Sequence, residues 1–548
     1  MKKFLAPLLF IHLIFFLNIQ SNAQFPEWSW VKSAGGTNQE VGGSIVLDAL
    51  GNKFVTGYFQ SSTINFGSDT LTNNGRGDVF LVKYDTNGNV LWAKSAGGTN
   101  FDWGKSVTVD ALGNAYVTGY FESPTITFGS FTLTNNGLGD VFLVKYDANG
   151  IVQWAKSAIG TSNDWGKSVT VDAIGNAYVT GYFRSPTITF DSYTLTNSGS
   201  YLGEIFLVKY STSGNVLWAK SAGGPNSDEG TSIALDALGN LYMTGYFESP
   251  AITFGTFTLT NSKYFAMFLV KYDTSGNVQW AKSGIGENQD WGRSVALDAI
   301  GNAYVTGNFQ SPTLTFGSYT LTNNGLGDVF LVKYDASGNV LWAKSAGGTT
   351  DDLGLSVATD AMSNAYVTGN FNSPTITFDS YIFTNSGDRD LFLAKYDASG
   401  NVLWAKSAGG WGWDEGNSVA VDVCGNSYVT GDFQSPTITF GTITLTNAGY
   451  VDILFAKAES GSSGINENQN SISVSVYPNP VAEKIKLIMP DGETIYNIKI
   501  VNVEGEELRQ QEVNGSNPTI DVSTLPNGMY ILRILGDKGV KVKKFIKE

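Results

Sequence analysis

An internal period constrains this chain more than any other feature. Trp30, Trp92, Trp154, Trp218, Trp280, Trp342 and Trp404 each open a WAKSAGG-like segment, and their spacing is 62 residues apart from one interval of 64. A second marker, GNAYVTG or a variant, begins at Gly51, Gly113, Gly175, Gly239, Gly301, Ser363 and Gly425. A third, FLVKYD or a variant, begins at Phe80, Phe142, Phe206, Phe268, Phe330 and Phe392, with a degenerate copy at Leu454 to Lys457. Seven copies of each marker mean one architecture built from seven equivalent units.

Each unit reads as four short strands. In the second, Ser106–Asp110 is strand a, Ala115–Phe121 strand b, Val141–Tyr146 strand c and Val152–Ser157 strand d. The a–b and c–d connections contain Gly113-Asn114 and Asn149-Gly150, residues that supply the positive φ of tight hairpin turns. Strands a, b and c are apolar on both faces, which suits sheets packed between neighbours. Helical periodicity is absent. A four-stranded, 62-residue unit is too long for one coil of a β-helix and fits a propeller blade. The array enters on a lone strand d, Trp28–Ala34, and leaves after strand c, Ile453–Lys457, so the first strand can complete the last blade and close the ring. That closure removes the free edge an open array would have to cap. The predicted fold is all-β: a seven-bladed β-propeller over 24–458, a linker at 459–471 rich in Ser, Gly, Asn and Glu, and a small β-sandwich over 472–548, where the period breaks and short alternating runs take over.

The GN-x-YVTG, F-x-AKYD-like, G-N-V-x-W and GG-x-x-x-D elements, matched across roughly Phe25–Glu459, resemble the SBBP family of seven-bladed β-propeller repeats. The departure is an added segment between strands b and c, Pro124–Asn135 in the second unit, which reads as an extra hairpin on every blade. The resemblance implies fold and copy number and no particular activity. The tail resembles the type A C-terminal sorting domain of the type IX secretion system. The residues that carry the likeness are Tyr477-Pro478-Asn479-Pro480, Gly528 and Tyr530 in LPNGMY, and Lys543-Lys544 before Phe545. The resemblance implies the type IX machinery as a partner, passage across the outer membrane of a Bacteroidetes-type bacterium, and a secreted or surface-attached mature chain.

The other end agrees. Met1-Lys2-Lys3, an apolar run from Phe4 to Leu17 and Ser21-Asn22-Ala23 form the three regions of a signal peptide, 1–23. The run is too short for a comfortable membrane span, and no other stretch is apolar enough for one. Cleavage takes away two lysines and no acid, moving the formal charge from −15 to −17. It also removes His12, the single histidine, so Ser-His-Asp, Cys-His and histidine-ligated metal chemistry are excluded from the mature chain. Cys424 is the single cysteine, so no intrachain disulfide forms. It occupies the place of Leu112 and Ile174 in sister units and reads as a small buried hydrophobe. An acidic chain without clustered Lys and Arg is not built for nucleic acid.

The short, uniform a–b and c–d turns share one rim, so the d–a linkers and b–c insertions share the other. An acidic residue recurs in every linker, and tryptophan beside it in several. The candidate ligand residues are Asp102-Trp103, Asp164-Trp165, Asp290-Trp291 and Trp413-Asp414, with Trp411 nearby: tryptophan for stacking on sugar rings, carboxylates for hydroxyls. The competing reading is structural, aspartate capping the turn and tryptophan packing between blades. Asp48, Asp110 and their equivalents at the a–b turn are the candidate calcium ligands, although no unit has a dense Asp/Asn ligand run; otherwise no cofactor is expected. The Lys83 and Lys94 series reads as a basic outer edge against strand pairing. Arg76-Gly77-Asp78 spells an integrin-type tripeptide, but Leu138-Gly139-Asp140 stands in its place in the next unit, so it carries no signal. The function expected is a non-catalytic exported binding protein for a glycan or protein ligand. The alternatives are a carboxylate-dependent polysaccharide hydrolase or lyase, or a purely structural surface component.

Overall fold

A computed structural model describes residues 27–199, 201–261, 263–460, 475–488, 495–501, 507–515, 518–536 and 539–547, and none of these is helical. The expected signal peptide and most of the expected linker lie outside the described residues. One compact unit spans Pro26–Ser460 and a second contains Gly461–Glu548.

In the first unit, the described residues form seven four-stranded antiparallel sheets. Blade 2 shows the pattern: strand a Asp102–Val109, strand b Ala115–Phe121, strand c Asp140–Tyr146 and strand d Val152–Ser157, hydrogen-bonded in that order. The inner strands of the seven blades are Glu40–Leu47, Asp102–Val109, Asp164–Val171, Asp228–Leu235, Asp290–Leu297, Asp352–Thr359 and Asp414–Val421. Strand a therefore starts four residues earlier than the sequence suggests. The Asp-Trp-Gly stretch read as linker pairs with strand b, Trp103 opposite Tyr120 and Gly104 opposite Gly119, before the register slips past Lys105 to resume at Ser106. Blade 7 is composite: its strands a to c are Asp414–Val421, Ser427–Phe433 and Asp452–Ala458, and its outer strand is the N-terminal Trp28–Ala34, with Lys32 opposite Phe455.

Local chemistry makes each blade. At the a–b turn, Asp110 Oδ1 accepts the N–H groups of Leu112 (3.0 Å) and Asn114 (2.9 Å), an Asx-type cap. Gly113 between them sits at φ 79°, where a Cβ would be strained. Strand b is buried along its whole length. The core lies between blades, as one layer per junction: Val79 and Leu81 of blade 1 pack with Val107, Val117 and Phe121 of blade 2. Ile45, Val55 and Phe59 pack with Tyr428, Ile453 and Phe455 of blade 7 in the same way. Close approach depends on Gly104, where a Cβ would lie 2.5 Å from Thr56 Oγ1 of the preceding blade. The Trp92 series locks the outside: Trp92 Nε1 donates to the Ala148 carbonyl in the c–d turn of the next blade at 3.3 Å.

The segment between strands b and c is an added hairpin in each blade, Thr125–Phe128 against Phe131–Thr134 in blade 2. Its buried Ile126 and Phe128 join the same interblade layer. The second unit has a three-stranded sheet (Ser475–Tyr477, Lys484–Ile488, Thr519–Asp521) and a four-stranded one (Glu507–Gly515, Ile495–Val501, Gly528–Gly536, Gly539–Lys547). Ile485, Ile498, Ile500, Ile520, Leu532, Ile534 and Phe545 fill the space between them, which makes it a small β-sandwich.

Candidate functional site

The aspartates of the candidate set are not at the surface. Asp102, Asp164 and Asp414 are fully buried and Asp290 is 1% exposed. Asp102 Oδ2 accepts from Gly98 N (2.7 Å) and Ser123 Oγ (2.7 Å), and Oδ1 from Ser123 N (3.2 Å). Each carboxylate thus ties the d–a linker to the start of the b–c insertion. Burial pushes Asp102, Asp290 and Asp414 up to about 6, against the pull of these donors. They are braces of the linker face, and the role of hydroxyl acceptor for a ligand is corrected to a structural one.

The tryptophans lie at the starts of the inner strands, each against the preceding blade. Trp103 stacks on Tyr58 of the preceding blade (4.5 Å, 4° between planes), and Trp165 on Tyr120 in the same way (4.2 Å, 4°). Lys105 Nζ lies 4.2 Å from the Trp103 ring, Lys167 5.2 Å from Trp165, and the Arg293 guanidinium 5.7 Å from Trp291. Trp103 and Trp165 are thus held between a tyrosine and a cation, a cation–π arrangement. They are half-buried and lack the bare face that stacking on a sugar needs. Trp413 (50% exposed) and Trp411 (81%) are the tryptophans that face solvent.

Sequence reasoning missed the residue that follows the strand-a glycine. In all seven blades it is the extra residue of a β-bulge: Gly43, Lys105, Lys167, Thr231, Arg293, Leu355 and Asn417. A bulge re-aims its side chain and strengthens the local twist. The signal was present in the sequence, a varied position between an invariant Gly and an invariant Ser.

The channel mouth is not sevenfold. A pocket of about 510 Å³ opens where blades 7, 1 and 2 meet, lined among others by Gln39, Tyr58, Trp103, Lys105, Trp413, Glu415, Asn417, Asp432, Gln434 and Tyr450. Asp432 stands directly opposite Glu415 in the sheet and accepts from Asn417 Nδ2 at 2.7 Å. Burial, then the Glu415 charge, pushes Asp432 well above the ordinary carboxylate range. Glu415 is held by Arg389 Nη1 at 2.5 Å, and Arg389 also lies over Trp413 at 5.0 Å. Among the described residues the side-chain amides of Gln39 and Gln434 have no hydrogen-bond partner.

At the a–b turn, Asp110 Oδ2 takes Asn114 Nδ2 (2.7 Å) and faces Lys145 Nζ at 3.8 Å. Among the described residues no group of three acidic, cysteine or histidine side chains could hold a metal ion. Lys83 is 7% exposed, pairs with Asp48 of its own blade at 3.8 Å and donates to the Ala148 carbonyl of the next blade at 3.2 Å, so it is not an outer-edge charge. Cys424 is exposed at a turn tip, where Leu112 (81%) and Ile174 (75%) are exposed as well. The Asp78 carboxylate of the Arg-Gly-Asp tripeptide is fully buried.

In the second unit Tyr477, Pro478, Asn479 and Pro480 are exposed, and Asn479 Oδ1 accepts from Ile546 N at 2.8 Å. Tyr530 donates to the Pro526 carbonyl at 2.8 Å and stacks on Phe545 at 5.5 Å. Gly528 begins the strand that pairs with Gly539–Lys547, which carries Lys543 and Lys544, and Asn479 touches that last strand at Ile546, so the three parts of the expected sorting signal meet along it.

Comparison with known proteins follows this division. The family model described as secretion system C-terminal sorting domain matches residues 475–548. That of the SBBP beta-propeller repeat matches 91–120 and 217–246. The chain is similar to an uncharacterized WD repeat-containing protein of Acanthamoeba polyphaga mimivirus, 26% identical over 506 residues, and spans 36% of that protein with 75% of its own length. It is 33% identical over 114 residues to the regulatory protein FlaEY of Caulobacter vibrioides, 20% of this chain and 12% of that one. Among solved structures, it aligns over 94% of its length with all of PorZ, a surface component of the type IX secretion system of Porphyromonas gingivalis, at 11% identity and a TM-score of 0.19. The propeller of SBBP repeats therefore travels with a sorting tail, and such a chain is carried by the type IX machinery to the surface of a Bacteroidetes-type cell. Among the described residues no helix is long and apolar enough to cross a membrane.

Proposed function

We propose that this exported propeller is a non-catalytic binding protein that takes an extracellular glycan or protein ligand on its linker face, at the mouth pocket where blades 7, 1 and 2 meet. One observation carries the reading: two unspent amides, Gln39 and Gln434, converge with the half-exposed rings of Trp413 and Tyr450 in a single 510 Å³ concavity. Binding sites pair an apolar wall with a few placed polar groups, and an amide supplies both donors and an acceptor to hydroxyls or to peptide. The test is a glycan and protein array with the wild-type chain and the Trp413→Ala/Gln434→Ala variant. Loss of about tenfold or more in affinity is expected; binding that survives the double substitution unchanged overturns this site.

A hydrolase or lyase draws support from one observation, the carboxyl groups of Asp432 and Glu415 facing each other across the sheet, with burial and the Glu415 charge raising Asp432. The Arg389 clamp on Glu415 weighs against a nucleophile or base there. Polysaccharide turnover that vanishes in Asp432→Asn would establish the enzyme and displace the binding role.

A further inference from the structure

The channel just inside the mouth concentrates positive charge in a chain whose formal charge is −15. Its bulge residues in blades 2, 3 and 5 are Lys105, Lys167 and Arg293. Their partners do not balance them. Lys167 faces Glu229 at 3.7 Å, whereas Arg293 Nε donates to the neutral Asn308 Oδ1 at 3.1 Å. Lys105 makes no ion pair among the described residues and rests over Trp103. The other carboxyls facing the channel are Glu415, taken by Arg389, and Asp432, which is raised by burial and by Glu415 and makes no ion pair with Lys105 among the described residues.

Lys167 couples to each of the other two. Burial first and then the Lys167 charge bring Lys105 down to about 7, and burial, with a smaller push from Arg293, lowers Lys167 against the pull of Glu229. A partly buried cation without a counter-ion is disfavoured until an anion joins it. Neutral donors are unspent in the same layer: the indole nitrogens of Trp103 and Trp165 are buried without an acceptor. Asn370 is 1% exposed and both its amide atoms lack a partner. It stands at the strand-b position where Asn308 meets Arg293 in the preceding blade, but the bulge residue of its own blade is Leu355, which offers it nothing.

We propose that Lys105, Lys167 and Arg293 form a collar that binds an oxyanion, a carboxylate or sulfate group, presented through the mouth pocket by an acidic saccharide. The collar rests on the binding reading above and narrows it, from any glycan to one that carries negative charge.

The full chain is titrated by calorimetry with a uronic-acid hexasaccharide, a neutral hexose hexasaccharide of matched length, and sodium sulfate alone. The wild type, Lys105→Met, Arg293→Met and the charge-keeping Lys105→Arg are compared, with thermal melts to confirm that each is folded. The acidic oligomer is expected to bind about tenfold or more tightly than the neutral one, a preference lost in Lys105→Met and Arg293→Met and kept in Lys105→Arg. Sulfate that binds wild type and not Lys105→Met, with neither oligomer bound, supports the collar as a free-anion site and removes the glycan reading. Equal affinity for the two oligomers in wild type, or a preference that persists in both methionine variants, overturns the collar and leaves the mouth pocket standing.

Discussion

The backbone N–H of Ile45 donates to Ser418 Oγ at 3.2 Å, joining the inner strand of blade 1 to that of blade 7 across 373 residues of sequence. The same bond, at the same length, runs from Val107 to Ser44 and from Val169 to Ser106, and so through every junction to Val419 and Ser356. The serine follows the bulge, so its side chain turns to the neighbouring blade while the bulge residue faces the channel. The closing junction is chemically the same as the six internal ones, which is why no polar cap ends the array.

Closure on the outside depends on the N-terminal strand. Trp28 is 7% exposed and meets Phe440 edge-on at 5.0 Å. Trp28→Ala is expected to cost about 3–5 kcal/mol, read from a shift in the denaturant midpoint. Deleting the strand through Ala34 uncovers the whole edge of Asp452–Ala458, an edge primed to pair with another chain. Size-exclusion chromatography should show oligomers for the deletion and a monomer for Trp28→Ala.

Asp164 separates bracing from binding. Its Oδ1 accepts Arg184 N (2.9 Å) and Ser185 N (3.1 Å), and its Oδ2 accepts Ser185 Oγ (2.6 Å). Asparagine keeps one acceptor and turns the other into a donor facing a donor. Asp164→Asn should lower stability by about 1–3 kcal/mol and leave mouth-pocket affinity as it is. Unchanged stability with lost binding would restore the aspartate as a ligand contact.

The fold was legible because its signals are local. Asn-Gly turns, apolar strands and a chain that starts on strand d and stops on strand c need no knowledge of distant contacts. The site was less legible, because exposure is decided by segments far apart in sequence. Asp102 reads as a rim carboxylate until Ser123, 21 residues on, folds over it. Lys105 reads as one more strand lysine, since a bulge leaves no mark on composition. Cys424 does share its position with Leu112 and Ile174, but that position is a protruding turn tip, where an apolar residue is exposed rather than buried.

That tip makes Cys424 a reporter. Its thiol is exposed and its backbone N–H is already spent on Asp422 Oδ1 at 2.9 Å, so labelling need not disturb the turn. A maleimide should modify the folded protein to one equivalent with no change in melting temperature. Labelling that requires denaturant would return the residue to the interior.

Calcium should leave the propeller indifferent. The a–b turn carboxylates are saturated by N–H donors and lysines, as at Asp48, which takes Leu50 N, Asn52 N and Asn52 Nδ2. Melting temperatures with excess chelator and with added calcium are expected to coincide. A rise with calcium would place ligands outside these turns.

Acid, in contrast, should stabilise the ring. Asp78, Asp140, Asp390 and Asp452 open strand c in blades 1, 2, 6 and 7, each 0–1% exposed and each with one carboxylate oxygen lacking a partner. Burial pushes Asp140 up to about 7 and the other three to about 6, from an ordinary value of 3.8. A folded-state value above the unfolded one means that folding takes up protons. The stability from these groups is fully present below pH 3.8 and is lost as pH rises through 6 and 7. The turn aspartates Asp85 and Asp335 shift the other way: burial alone would raise them, but their donors taken together, led by Asn89 and Asn339, outweigh it. Their contribution is lost only as pH falls through values under 3.8, so from pH 4 to 7 the slope belongs to the buried carboxylates; toward pH 8 Lys105, brought down to about 7, and Lys53, to about 8, oppose them and are outnumbered. Melting temperature should therefore fall from pH 5 to pH 8, each group costing on the order of 1–3 kcal/mol at the upper end. Asp140→Asn, which keeps an acceptor for Asn136 N and cannot ionise, should raise stability at pH 8 and flatten the profile. A melting temperature that climbs from pH 5 to pH 8 would mean that these carboxylates are ionised and matched by partners the fold does not supply.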